Sequence, residues 1–359
     1  MLSGLTVRVV FGNGAVNGVN DEIRRLGLSA VTVVCTPALC RRGARLARSL
    51  AEPATGPIMR IGTGPGADRD ADVARLVSAS HGSEGFLAIG GGSAIRVARH
   101  AAGITGLPVI AVPTTYAGRE MSMESTATSS ATPTADITTP PLPATVVYDP
   151  ILTTTLPQHV TGVSALAAVA RAALALCASD GNPLAELTAG LAIRYLAEGA
   201  HDAVLHPRGL VGRSRALYGA HLVGLITTAG SRSGIAVTDG VDDALAAAGG
   251  VHASDVAAIL LAHRLETAGR RRPLALAAVA AALHRDDAVT GMRELAADLG
   301  APTSFAELDL GPVRMAAIRQ AAQRLDVPQT ERQALRQAIR GQSSATNRAT
   351  PSTRGGEQL

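Results

Sequence analysis

The sequence predicts an α/β fold that gives way to helices alone. Three observations carry this expectation. Short apolar runs alternate with helical stretches as far as Tyr148; two of those runs close on Gly90-Gly91-Gly92-Ser93 and Pro113-Thr114-Thr115; no strand-like run follows Tyr148.

Leu5 to Phe11 alternates apolar and polar residues, the pattern of a strand, and closes at Gly12-Asn13-Gly14. A helix over Asp21 to Leu26 leads to a strand over Ala30 to Cys35, and then come a helix over Pro37 to Ala51, a strand over Ile58 to Ile61 and a helix over Ala67 to Ser80. Phe86 to Ile89 and Leu107 to Val112 are continuous apolar runs, the mark of strands buried on both faces of a parallel sheet. The helix between them spans Gly92 to Ala102. Met121 to Pro143, rich in Ser and Thr, reads as a polar excursion before the strand Ala144 to Tyr148. Helices follow over Val160 to Ser179, Pro183 to Ala200, Ser214 to Thr228, Asp255 to Ala268, Pro273 to Leu283, Ala288 to Leu299 and Val313 to Ala322. The Ser-, Thr- and Gln-rich stretch 341–359 reads as a disordered tail.

Glycine at 90, 91 and 92 lets backbone N–H groups approach an anion without a Cβ in the way, and the helix that follows points its positive end at the same place. Such a turn also serves as plain strand-to-helix punctuation. The hydroxyls of Thr114 and Thr115, at the tip of the next strand, favour a crevice for a dinucleotide. Thr36 stands where an acidic residue would bind the ribose hydroxyls and repel a 2′-phosphate, and Arg41 and Arg42 follow it. Both NAD(H) and NADP(H) therefore stay open as cofactors.

Hydrophobic residues make up 47% of the 359 residues but aromatic ones only 2%, so Ala, Val, Leu and Ile must build the core. All 33 basic residues are arginine. Without lysine, Schiff-base chemistry, pyridoxal phosphate anchoring and a P-loop are excluded. The net charge of +4 is carried by arginines interleaved with acidic residues, with no aromatic interleaving, which argues against nucleic acid as a partner. Three cysteines, Cys35, Cys40 and Cys177, show neither metal spacing nor a disulfide pattern. The longest apolar tract, Gly162 to Ser179, is interrupted by Arg171, and no basic leader precedes an apolar core at the N-terminus. A cytoplasmic protein without a membrane partner is expected.

The Gly-Gly-Gly-Ser turn followed by Pro113-Thr114-Thr115-Tyr116-Ala117-Gly118-Arg119-Glu120-Met121 resembles the iron-containing alcohol dehydrogenase superfamily, most closely its maleylacetate reductase branch. Phe11-Gly12-Asn13-Gly14, Val147-Tyr148-Asp149-Pro150 and Ala216-Leu217-Tyr218-Gly219-Ala220 extend the resemblance. It implies a dinucleotide-binding α/β domain over 1–150, an all-helical domain over 151–340, and an active site in the cleft between them. By analogy it also offers a homodimer.

Members of the superfamily that use iron or zinc take one aspartate and three histidines from the helical domain. Carried onto this chain, those positions hold Ser164, Ala168, Asp239 and Ala253. A divalent ion needs three or four convergent donors, so no catalytic metal is expected. His252 lies one residue off a ligand position, and Asp243 stands where the family often has a further histidine. Those two residues and Tyr116 are the expected catalytic groups, while Arg119, where the family usually has a small residue, and His221 are expected to meet the small-molecule substrate. Two readings follow. One is a metal-free NAD(P)H-dependent oxidoreductase acting on an oxo-acid, ketone or alcohol, in a biosynthetic pathway. The other is a redox-inactive or non-redox member of the fold, lyase-like or a partner subunit. The intact glycine turn favours the first and the lost ligands the second.

Overall fold

The computed structural model describes residues 7–36, 55–61, 69–122, 140–177, 183–229 and 232–346. Six strands form one sheet: β1 (Arg8–Phe11), β2 (Val31–Cys35), β3 (Thr55–Arg60), β4 (Gly85–Gly90), β5 (Val109–Pro113) and β6 (Thr145–Tyr148). Their order is β1-β6-β5-β4-β2-β3 and every pairing is parallel. β2, β4, β5 and β6 are buried along their whole length, and β4 and β5 accordingly read as continuous apolar runs. α1 (Val19–Arg25), α2 (Arg69–Ala79) and α3 (Gly92–Thr105) accompany the sheet. The helix expected over Pro37 to Ala51 and most of the excursion expected over Met121 to Pro143 lie outside the described residues.

From β2 the chain passes to one side of the sheet to form β3, whereas β4, β5 and β6 step away to the other. The order therefore reverses between β2 and β4, and a ligand crevice belongs at the carboxyl ends of those strands. Asp149, fully buried just past β6, closes the neighbouring corner. Its carboxylate accepts from the N–H groups of Gly14 (3.1 Å) and Val16 (3.2 Å), fastening the Gly12-Asn13-Gly14 turn, and from that of Ile151 (3.0 Å). With that last bond it caps α4 (Pro150–Thr153).

The helices that follow are α5 (Gln158–Cys177), α6 (Pro183–Leu205), α7 (Leu210–Ala229), α8 (Arg232–Gly249), α9 (Ala253–Gly269), α10 (Pro273–Ala282), α11 (Ala288–Asp298), α12 (Gly311–Arg324) and α13 (Gln329–Thr346). Two of these differ from the sequence reading, which has no helix over 232–249 or 329–346. The stretch 341–346, expected to begin a disordered tail, continues α13. Cys35, expected to stay unpaired, is disulfide-bonded.

α5 is long and apolar enough to cross a membrane, but 83% of its apolar window is buried among its neighbours, as befits a core helix. With so few aromatic rings, the helices fill space by approaching closely. A Cβ on Gly219 of α7 would stand 2.9 Å from the backbone nitrogen of Leu196 in α6, and one on Gly199 would stand 2.7 Å from the carbonyl oxygen of Gly212. Glycine at these crossings sets the helix spacing.

Candidate active site

The apolar run of β4 ends at Gly90, and Gly91 is the N-cap of α3. No side chain caps this helix, so its first N–H groups remain available to an anion. Thr114, on the adjacent strand end, is buried and its N–H donates to Gly90 O at 2.9 Å. A Cβ on Gly91 would lie 3.1 Å from Thr115 Cγ2, and one on Gly92 would lie 3.2 Å from Arg119 Cδ. The turn, the threonine pair and the Arg119 stem thus enclose one narrow cradle, with half-buried Thr36 following β2 at the next strand end.

The loop after β5 is fixed by glycine. Gly118 has φ +66°, and a Cβ there would stand 2.9 Å from Ala220 O in α7. Arg99, fully buried in α3, donates to Arg119 O (3.3 Å), Pro141 O (2.9 Å) and Pro140 O (3.1 Å). The same guanidinium therefore secures the loop that presents Arg119 and the segment leading into β6.

α8, the helix missing from the sequence reading, carries Asp239 and Asp243 one turn apart on the same face. Arg119 reaches both, Asp239 at 3.3 Å and Asp243 at 3.5 Å. Each carboxylate also has a firmer partner. Nε of Arg171, deep in α5, donates to Asp239 at 2.9 and 3.1 Å, and Arg96 of α3 meets Asp243 at 2.6 Å. Arg69 adds a contact to Asp243 at 3.3 Å. Four guanidinium groups thus surround two carboxylates beside the glycine turn, leaving positive charge in excess where an anion would bind.

Sequence reasoning missed Arg171, Arg96 and Arg69. The signal for the first was present: a charge inside an otherwise apolar helix is stable only if paired.

Tyr116 and His221 lie in other surroundings. Tyr116 is fully buried, and its hydroxyl donates to Thr153 Oγ1 (3.0 Å) and accepts from Arg213 (2.9 Å). Burial raises its pKa, keeping the phenol protonated. His221 packs edge-on against Tyr148, ring centroids 5.3 Å apart, and burial lowers its pKa, keeping the imidazole neutral. Tyr148 donates to the fully buried Glu120 at 2.6 Å, whose carboxyl is pushed upward by desolvation. His252 is exposed at the N-cap of α9 and its imidazole caps no backbone N–H. It is not among the side chains gathered around Asp239.

Residues 6–150 match the model of the family described as iron-containing alcohol dehydrogenase. Maleylacetate reductase from Burkholderia cepacia is 34% identical over 303 residues, covering 84% of this chain and 85% of its own length. The chain belongs to the iron-containing alcohol dehydrogenase superfamily, in its maleylacetate reductase branch. Maleylacetate reductase from Pseudomonas aeruginosa is 32% identical over 306 residues, 84% of this chain and 85% of its own. The crystal structure of maleylacetate reductase from Rhizobium sp. strain MTP-10005 superposes with a TM-score of 0.77 at 30% identity, covering 95% of this chain and 98% of the other. This membership makes the chain an NAD(P)-dependent oxidoreductase.

The family's metal, tested against the side chains present, does not fit. Ala168 and Ala253 offer no donor. Ser164 Oγ is occupied by the Tyr116 N–H (3.3 Å) and by Thr161 O (3.4 Å). Asp239 is enclosed by guanidinium groups. Among the described residues, no three His, Cys, Asp or Glu side chains converge. A nicotinamide dinucleotide does fit: open N–H groups, glycines at which a Cβ would crowd Thr115 and Arg119, and surplus positive charge all suit a pyrophosphate.

Proposed function

We propose that this protein transfers hydride between a nicotinamide cofactor and a small oxo-acid, ketone or alcohol without a catalytic metal, as a cytoplasmic enzyme of a biosynthetic pathway. The observation that carries the reading is the Arg171–Asp239–Arg119–Asp243–Arg96 lattice, which includes one residue that the resemblance implies as a ligand position, Asp239, beside an intact glycine turn.

In this reading the N–H groups of Gly92 and Ser93 hold the pyrophosphate, with Gly90 and Gly91 shaping the approach and Thr114 and Thr115 closing the cradle. Thr36, at the second strand's end, meets the adenosine ribose. The bound cofactor supplies or accepts the hydride. Reduction of a carbonyl builds negative charge on its oxygen, and a preorganised donor must stabilise that charge. Arg119 is suited to the task, because its two ion-pair contacts are the longest in the lattice and its stem lies over the turn. Asp239 and Asp243 orient its fork, while Arg171 and Arg96 hold those carboxylates in place. A guanidinium donates hydrogen bonds but no proton. The proton that completes the alcohol therefore comes from water in the cleft.

The non-redox reading draws on one feature, the Arg119 stem packed against Gly92, which narrows the cleft at the turn. A fluorescence titration of chelator-treated protein with NADH and NADPH separates the two. Saturable binding of either cofactor, abolished by Gly91→Asp, is the expected result, since that side chain would crowd Thr115 and repel the pyrophosphate. Turnover of oxo-acids or ketones should then survive chelation. Absence of binding by both cofactors refutes the oxidoreductase reading.

A further inference from the structure

The charge of the chain is unevenly placed. Residues 311–346 hold six arginines and two acidic residues, a net +4, while the rest of the chain balances 27 arginines against 27 acidic residues. The whole formal charge of the protein, +4, is therefore equal to that of α12, α13 and the turn joining them. One of the two acids is turned inward: Glu331 is buried and accepts from Arg264 at 2.6 Å, so it does little to offset the charge at the surface.

The arginines are arranged along a groove. Arg332, Arg336 and Arg340 recur every fourth residue and are exposed along one flank of α13, and Arg319 is exposed on α12. With the apolar side chains of Ala322, Leu335 and Ile339, they line a cavity of about 510 Å³. The other acid, Asp326 in the turn between the two helices, approaches Arg332 only at 3.9 Å and is itself fully exposed, an arrangement that contributes little.

The lining narrows the choice of partner. No aromatic residue occurs in 311–346, so bases of a single-stranded nucleic acid would find no surface on which to stack. An apolar strip flanked by guanidinium forks instead matches a helix with an apolar face and carboxylates on its edges, since arginine binds carboxylates in bidentate fashion. From Arg332 to Arg340 the stripe extends about 12 Å at a rise of about 1.5 Å per residue, enough for two turns of a partner helix.

We propose that the groove between α12 and α13 is a docking surface for an acidic amphipathic helix of a partner protein, its carboxylates meeting the arginine rim and its apolar face meeting Ile339 and Ala322.

The test uses the full-length protein and a labelled helical peptide carrying Glu at every fourth position beside a leucine stripe, read by fluorescence anisotropy. A scrambled peptide of the same composition and a single-stranded oligouridylate serve as competitors. The expected result is saturable binding, weakened about tenfold or more by Arg332→Glu combined with Arg336→Glu, with scrambled peptide and oligouridylate each about tenfold weaker. Both substituted positions are exposed, and circular dichroism with retained nicotinamide binding establishes that the variant is folded. Equal affinity for the scrambled peptide, tighter binding of the oligouridylate, indifference to the charge reversal, or no peptide binding each overturns the proposal.

Discussion

Replacing Asp239 with asparagine removes one charge from the charge lattice and leaves Arg171, only 3% exposed, without its carboxylate partner. Two unit charges about 4 Å apart attract by about 4 kcal/mol at an effective dielectric constant of about 20. Removing one member of a buried pair typically costs about 3–5 kcal/mol, because the remaining charge stays desolvated. The introduced amide would still accept a hydrogen bond from Arg171, so the expected loss lies near the lower end, about 3 kcal/mol. Urea unfolding at pH 7 should show a lower midpoint with an unchanged slope. The double variant Arg171→Met, Asp239→Leu removes both charges and should recover most of the loss, because the pair must offset its own desolvation. A single-variant loss below about 1 kcal/mol would refute the reasoning, since that is how an exposed pair behaves. Additive losses in the double variant would refute it too, since the two residues would then be uncoupled.

Asp242 gives a pH dependence of definite sign. Burial outweighs the attraction of Arg264 and raises its pKa to about 7, so between the unfolded value of about 4 and pH 7 the native state binds more protons than the unfolded chain. Its contribution to stability is therefore full below pH 4 and is lost as pH rises through 7; Asp242→Asn should flatten this component of the urea midpoint across pH 4–8, and parallel profiles would contradict the assignment. Two glycines of α6 should respond oppositely to alanine. Gly199→Ala places a Cβ 2.7 Å from Gly212 O and should cost about 1–3 kcal/mol or more; Gly190→Ala meets nothing within 4 Å and should stabilise by about 0.5–1 kcal/mol in the same denaturation assay.

The parallel sheet was legible because β2, β4, β5 and β6 are buried along their length: β4 and β5 read as continuous apolar runs, and β2 and β6 are mostly apolar, each with a single buried threonine, Thr32 and Thr145. α8 was not legible, because Gly234, Val237, Thr238, Asp239 and Gly240 are poor helix formers. Its order comes from tertiary contacts: Val241 and Leu245 are buried, and Asp242 meets Arg264 at 2.8 Å. α13 hides behind its Arg and Gln content; among its residues whose burial is described, the buried apolar ones are Ala334, Leu335 and Ala338. The glycine turn could be found locally since its chemistry lies in consecutive residues. The charge lattice could not, because Arg171 and Asp239 are 68 residues apart and Arg96 and Asp243 are 147 apart.

The lattice encloses Asp239 in guanidinium groups rather than leaving it as a free donor. A divalent ion draws its geometry from lone pairs that converge on it, and among the described residues no three His, Cys, Asp or Glu side chains do. A guanidinium is covalently attached and needs carboxylates to aim it, which Asp239 and Asp243 supply from successive turns of α8. Arg171 is sealed in the helical core, and Arg96 projects from the helix whose N-terminus faces the cofactor cradle. Arg119, between them, is held by the weakest contacts of the set. In the function proposed above, a site assembled this way supplies directional hydrogen bonds from one guanidinium.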